Sequence, residues 1–241
     1  MATQRALPPV TIPRARSLEF GRRLRAWYRV NCRDLPWRRT RDPYAVLVSE
    51  LMLQQTQVSR VLTKYEDFLQ RFPTLEAVAA ARPKRVMEAW SGLGYYARAR
   101  NLHALARTVT RCGTPATLPA DPKSLRALPG IGAYTAGAVA SFAYERRAPL
   151  VDTNVARVLR RVFAPHLDTR RSAGHNAVWR IATEVLPRSG RTAYTHNQAL
   201  MELGALVCTA RAPRCEACPV RSLCATVAAA RRPTARRART R

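Results

Sequence analysis

Glu50 stands in the run SELMLQQTQ (49–57), where its neighbours are apolar residues, amides and hydroxyls. A carboxylate beside Leu51, Met52 and Leu53 is partly desolvated. Loss of water favours the neutral form, so such a group can hold a proton near neutral pH and act as a general acid. The same residue also fits the polar edge of an amphipathic helix. A second carboxylate, Asp152, follows Leu150-Val151 and precedes Asn154 at the head of the arginine-rich segment VARVLRR (155–161). The plainest role for Asp152 or Thr153 is to cap that segment as a helix, and a capping carboxylate remains available for chemistry.

Two further features carry chemical potential. LPGIGAYTAGAVASFAY (128–144) places Gly130 and Gly132 in a turn between helical segments. Both glycines permit a positive φ and close backbone approach, and the free N–H groups of the following helix suit a phosphate. Many ordinary helix–turn–helix links look the same. Near the other end, CTARAPRCEACPVRSLC holds Cys208, Cys215, Cys218 and Cys224 in the spacing C-x6-C-x2-C-x5-C. Four such thiols can bind a tetrahedral zinc or a [4Fe–4S] cube, and spacing alone leaves both open. Cys32 and Cys112 have no such neighbours and read as ordinary thiols.

The elements that must position these groups are helical. Apolar spacing and Pro or Gly punctuation predict helices over 18–30 (with Ser17 as cap), 43–68, from 74, and over 83–90, 97–112, 122–127, 134–144, 152–162, 172–186 and 194–206. No segment alternates convincingly with period two, so the predicted class is all-α. Residues 1–16 read as a flexible basic arm and 225–241 as a basic tail.

The chain has 241 residues with 42 basic against 15 acidic side chains, a formal charge of +27, and its only lysines are Lys64, Lys84 and Lys123. Such an excess repels itself unless a polyanion neutralises it, which points to nucleic acid. No run of about 18 apolar residues is present to span a membrane. The N-terminus has no apolar signal core and breaks at Pro8, Pro9 and Pro13. The expectation is a cytoplasmic, nucleoid-associated monomer, in whose reducing surroundings clustered cysteines bind metal rather than form disulfides.

From Leu35 to Cys224 the sequence resembles the helix–hairpin–helix base-excision glycosylases, and most of all the MutY-type adenine DNA glycosylases. The matching stretches are LPWR (35–38), SELMLQQTQV (49–58), GLGYYARARNLH (92–103), LPGIGAYTAG (128–137), VDTNVARV (151–158), NQALMELGALVC (197–208) and the cysteine cluster. The resemblance implies two helical lobes with a DNA cleft between them. One is a six-helix barrel (about 38–145) holding the hairpin; the other joins 17–37 to 146–224 and carries the cluster. It identifies the cysteine loop as a [4Fe–4S] site, with Arg211 and Arg214 directed at backbone phosphate, and implies a monovalent cation at the hairpin.

The resemblance also assigns roles. Glu50 becomes the acid that protonates adenine and then helps activate water. Asp152 stabilises, or transiently bonds to, the anomeric carbon, as two carboxylates divide the work in retaining glycoside hydrolases. Tyr134 stands where bifunctional relatives carry an imine-forming lysine, which implies a glycosylase without lyase activity and a tyrosine bonded near the flipped nucleotide. Arg33, Trp37, Arg38, Leu53 and Gln198 fall at adenine-pocket positions. Gln55 and Tyr95 fall at positions that enter the helix stack and hold the opposite base, and Asn154 supports Asp152 and the phosphate. The partner is double-stranded DNA carrying a mispair or lesion.

Two departures stand out: Thr153 replaces the glycine often found after the catalytic Asp, and the family's second, Nudix-like domain does not follow Cys224 in this sequence. The alternatives are a mismatch thymine or uracil glycosylase of the same superfamily and a non-catalytic iron–sulfur DNA-binding protein.

Overall fold

The computed structural model describes residues 10–111, 113 and 115–231. Cys112, residues 1–9 of the predicted arm and 232–241 of the predicted tail lie outside the described residues. The chain is all-α: thirteen α-helices and three 3-10 turns, with no strand among the described residues. In chain order the helices are α1 (Arg14–Asn31), α2 (Pro43–Leu53), α3 (Val58–Leu62), α4 (Tyr65–Arg71), α5 (Leu75–Ala80), α6 (Pro83–Ala89), α7 (Ala97–Arg111), α8 (Pro122–Arg126), α9 (Ala133–Phe142), α10 (Thr153–Phe163), α11 (Ser172–Val185), α12 (Gly190–Leu206) and α13 (Ala225–Arg231).

Four sequence expectations change. α1 starts before Ser17, with Pro13 at the cap position and no side-chain cap bond. Ile12 of the supposed arm is buried, and its N–H donates to Glu184 Oε1 at 2.9 Å. The predicted helix over 43–68 is three helices, interrupted where Gln55 adopts φ 55° and where Lys64 leaves helical geometry. The first part of the predicted basic tail is α13.

The described residues fall into two compact units. One comprises those of segments 33–150 and 189–194. Its centre is α2, in which every residue from Tyr44 to Met52 is buried, packed against α9, in which every residue from Thr135 to Phe142 is buried. A helix apolar on all sides has no solvent face and must be surrounded by protein. Asp42 caps α2 by accepting from the N–H groups of Tyr44 and Ala45. Gly137 is required by contact: a Cβ there would lie 2.2 Å from the Pro149 carbonyl oxygen. Phe68 meets Trp90 edge-on at 5.6 Å, and both are fully buried. Each such side chain contributes roughly 1.5–3 kcal/mol by leaving water.

The other unit comprises the described residues of 1–32, 151–188 and 195–241. α11 packs against both α1 and α10, and α10 also meets α13. Phe20 of α1 meets Phe163 of α10 edge-on at 5.0 Å and His196 of α12 at 5.9 Å. His196 is fully buried, and neither ring nitrogen has a hydrogen-bond partner among the described residues. Burial first, and the Arg25 charge second, push its pKa down to about 3.

This histidine makes stability depend on pH in a defined window. The unfolded chain takes up the proton near pH 6.5 and the folded chain only near 3, so stability falls as pH drops through that range, by up to about 1.4 kcal/mol per pH unit. Thermal melts should show Tm falling between pH 6.5 and 4.5, above the range in which most carboxylates titrate. His196→Leu should raise Tm and flatten that slope; an unchanged slope in the variant would exclude His196 as its source.

Candidate active site and cluster loop

Glu50 lies near the C-terminal end of α2 and is 3% exposed. Tyr134, in the first turn of α9, donates its phenolic O–H to Glu50 Oε2 at 2.7 Å. The packing of α2 on α9 thus turns a sequence separation of 84 residues into one hydrogen bond. The tyrosine therefore has a more specific place than the sequence suggested, since it holds the candidate acid itself. Beside it, Gln54 Nε2 donates to the hydroxyl of the buried Thr135 at 3.2 Å.

α8, the turn and α9 form the predicted hairpin. Gly130 adopts φ 76°, and a Cβ there would come within 2.5 Å of Asn101 on α7. Gly132 does not use the positive φ that glycine permits: it sits at φ −85° as the N-cap of α9. No side chain caps that helix, and no atom outside its chain neighbours lies within 4 Å of a Cβ built there. The open cap leaves backbone N–H groups accessible to an anion.

In the other unit, Asp152 is the N-cap of α10. Oδ1 accepts from Val155 N–H at 2.7 Å, and Oδ2 accepts from Asn154 Nδ2 at 2.9 Å. The capping reading is therefore correct, and capping orients the carboxylate. Asn154 Oδ1 in turn accepts from Arg157 Nη2 at 2.7 Å, and Arg157 Nε donates to the Cys208 carbonyl at 2.7 Å. A continuous hydrogen-bonded chain thus runs from Asp152 to a cluster cysteine. Gly204 is required beside it, because a Cβ there would lie 2.7 Å from Asn154 Cβ.

The predicted pocket and wedge residues are distributed as follows. Trp37 is buried edge-on against Tyr65 at 5.5 Å, and Arg38 Nη1 donates to the Arg33 carbonyl at 3.0 Å. Leu53 ends α2, half-buried, and Gln198 is buried on α12. Gln55 and Tyr95 both project from left-handed backbone, with Tyr95 59% exposed.

Cys208, Cys215, Cys218 and Cys224 line one cavity of about 190 Å³, walled by Val158, Val162, Leu203, Val207 and Val220. Burial, followed by the neighbouring cysteines, pushes the Cys218 thiol up to about 11, so that sulfur becomes a thiolate only against a cationic centre. No three His, Cys, Asp or Glu side chains among the described residues converge as they would on a single metal ion. A cavity framed by four thiols, its remaining wall apolar apart from Thr226, Arg161, Arg214 and Arg221, fits a cluster better than zinc. Arg161 Nη1 lies 3.4 Å from Cys208 Sγ and donates to the Thr209 carbonyl at 2.7 Å. Arg211 is exposed. Arg214 instead donates to the Leu206 carbonyl at the end of α12, which occupies part of the fork expected to face phosphate.

Sequence reasoning missed Arg98, Arg157 and Arg161, each of which donates to several main-chain carbonyls. Only the position of Arg98 and Arg157 inside matched motifs distinguished these two, and nothing marked Arg161, because a chain with 42 basic residues offers no compositional contrast. For the cluster, protein purified without oxygen should be brown and contain iron and sulfide. Cys218→Ser should lose the colour; stoichiometric zinc without iron would overturn the assignment.

The family profile described as the HhH-GPD superfamily base excision DNA repair protein matches residues 48–183, and that of the iron–sulfur binding domain of endonuclease III matches residues 208–224. The adenine DNA glycosylase of Mycobacterium tuberculosis is 46% identical over 216 residues, covering 88% of this chain and 68% of that protein. The adenine DNA glycosylase of Homo sapiens is 44% identical over 214 residues, covering 85% of this chain and 39% of its own length. The chain thus spans about two thirds of the first relative and two fifths of the second. Among solved structures, a thermostable thymine-DNA glycosylase superposes with TM-score 0.80 at 29% identity, covering 89% of this chain and 98% of its own. A trapped endonuclease III–DNA covalent intermediate superposes with TM-score 0.75 at 22% identity, covering 92% and 100%, and so supports the shared fold alone. With both profiles matched in order and relatives this similar over most of its length, the chain belongs to the HhH-GPD superfamily of base excision DNA repair glycosylases, within the adenine DNA glycosylase family and with its [4Fe–4S] domain.

Proposed function

We propose that this chain is a monofunctional glycosylase hydrolysing the N-glycosidic bond of an adenine paired with 8-oxoguanine or guanine in double-stranded DNA. The observation that carries the reading is the buried Glu50 held by Tyr134, a residue that cannot form an imine. No lysine lies on α9, α10 or in the hairpin turn. The relatives named adenine DNA glycosylases support the choice of base.

The base must leave the stack before its bond can break. Glu50 then transfers a proton to the adenine ring, and the C1′–N9 bond breaks with its electron pair passing to the departing base. Asp152, its oxygens fixed by Val155 and Asn154, stabilises the positive charge left on the sugar. Water adds at C1′, and Glu50 recovers the proton. The open N-terminus of α9 suits a DNA phosphate, with a monovalent cation at the hairpin, and Arg211 suits another phosphate. Trp37, Arg38, Arg33, Leu53 and Gln198 serve as the adenine pocket, and Gln55 and Tyr95 as the residues that enter the stack. The protein acts as a monomer at the nucleoid. The [4Fe–4S] cluster holds the loop of Arg211 in shape and takes no part in bond cleavage.

Excision assays on duplexes carrying A, T, U or hypoxanthine opposite guanine and 8-oxoguanine should show release of adenine. Removal of T or U opposite guanine with adenine left intact would sink the reading. Glu50→Gln and Asp152→Asn should each slow adenine release by at least about 100-fold while binding persists, since Asn can still cap α10. Borohydride should trap no protein–DNA adduct, and a trapped adduct would show lyase chemistry.

A further inference from the structure

Arg98, in the first turn of α7, is 6% exposed, yet no carboxylate among the described residues pairs with it. Its guanidinium is spent on main-chain carbonyls. Nη1 donates to Leu51, Met52 and Gln54 at 2.8, 2.7 and 2.6 Å, and Nη2 donates to Leu93 and Gly94 at 3.0 and 2.8 Å. Nε reaches the Tyr95 carbonyl at 3.3 Å, and the Thr56 hydroxyl links the same two segments by donating to Leu93 O at 3.1 Å. The first group of carbonyls belongs to the frayed end of α2, just after Glu50; the second belongs to the loop before α7.

Each segment carries a non-glycine residue in the left-handed region, Gln55 at φ 55° and Tyr95 at φ 46°. That backbone is strained for any residue with a Cβ and persists only where its surroundings over-determine it. Both strained residues are exposed, so packing of their own side chains does not hold them.

We propose that Arg98 is the positioning residue that locks segments 53–56 and 92–96 into one rigid wedge, so that Gln55 and Tyr95 enter the DNA stack together. The inference rests on the adenine glycosylase reading. A single guanidinium can do this because its planar fork presents five donors, whereas an ammonium offers three from one point. Replacing it strands several carbonyls at once and frees the two segments to move separately.

The test compares wild type, Arg98→Lys and Arg98→Met by single-turnover excision, each relative to wild type on the same duplex. One duplex pairs adenine with 8-oxoguanine; the other places it opposite an abasic site, where no opposite base must be held. Arg98→Lys should lose at least about 30-fold on the first and stay within about threefold on the second. An equal loss on both duplexes is what a merely structural residue produces, and would overturn the proposal. Hydrogen exchange of the unbound protein gives a readout independent of catalysis. The amides of 54–56 and 93–96 should exchange faster together in Arg98→Lys, with those of α9 unchanged. Faster exchange in one segment only, or throughout the unit, would refute the lock. Should wild type release no adenine, the functional reading fails, while the exchange result still decides the role of Arg98. Arg98→Lys carries the test if Arg98→Met does not fold.

Discussion

Guanidinium groups bonded to main-chain carbonyls are the interaction on which both units depend. Every α-helix ends with carbonyls that lack an internal donor, and the thirteen mostly short helices among the described residues have many such ends. Arg98 serves the end of α2. Arg157 donates to Gly204 O at 2.8 Å and to Cys208 O, Arg161 serves the cluster loop, and Arg16 donates to Val162 O and Leu223 O at 3.0 and 2.8 Å. A cation near a helix C-terminus is favoured by the dipole as well as by the bond. The surplus of arginine is thus partly internal scaffolding, and only the remainder is available to phosphate.

The same economy governs the two carboxylates assigned to the chemistry. Asp152 satisfies an orphan N–H at the start of α10 and is aimed by doing so, with Asn154 fixing its second oxygen. Glu50 is embedded in a helix whose surroundings are apolar, and Tyr134 supplies a donor inside that environment. A buried carboxylate without such a bond would be costly to keep, so the tyrosine maintains this arrangement. The cysteine loop is tied into this framework through Arg157 and Arg161, which connects the cofactor region to the head of α10 by hydrogen bonds rather than by proximity.

Most helices were legible because their apolar spacing and their Pro and Gly punctuation agree with local propensity. Asp42 and Thr74 cap where such residues are expected to, and α10 begins at Asp152 as the run VDTNVARV indicates. The misreadings have a common origin. The run from Pro43 to Phe68 has no proline or glycine inside it, yet it breaks at Gln55, where carbonyls of α2 turn to Arg98, 44 residues away for the nearest of them. Arg214 looked free for phosphate because the nearness of the Leu206 carbonyl depends on how the loop after α12 folds back. His196 gave no sign of full burial, since its neighbours Asn197 and Gln198 are polar and are buried as well.

By itself the sequence determined the all-α class and the iron–sulfur domain at 208–224, and it singled out Glu50 and Asp152 as the candidate carboxylates. Those properties are written in residue type and in spacing along a single segment. Only the tertiary structure decided which donor satisfies which acceptor: Tyr134 with Glu50, Asn154 with Asp152, and Arg98 with two segments at once. The physical reason is that a buried polar group must find a partner wherever the fold brings one, and chain distance places no constraint on that choice.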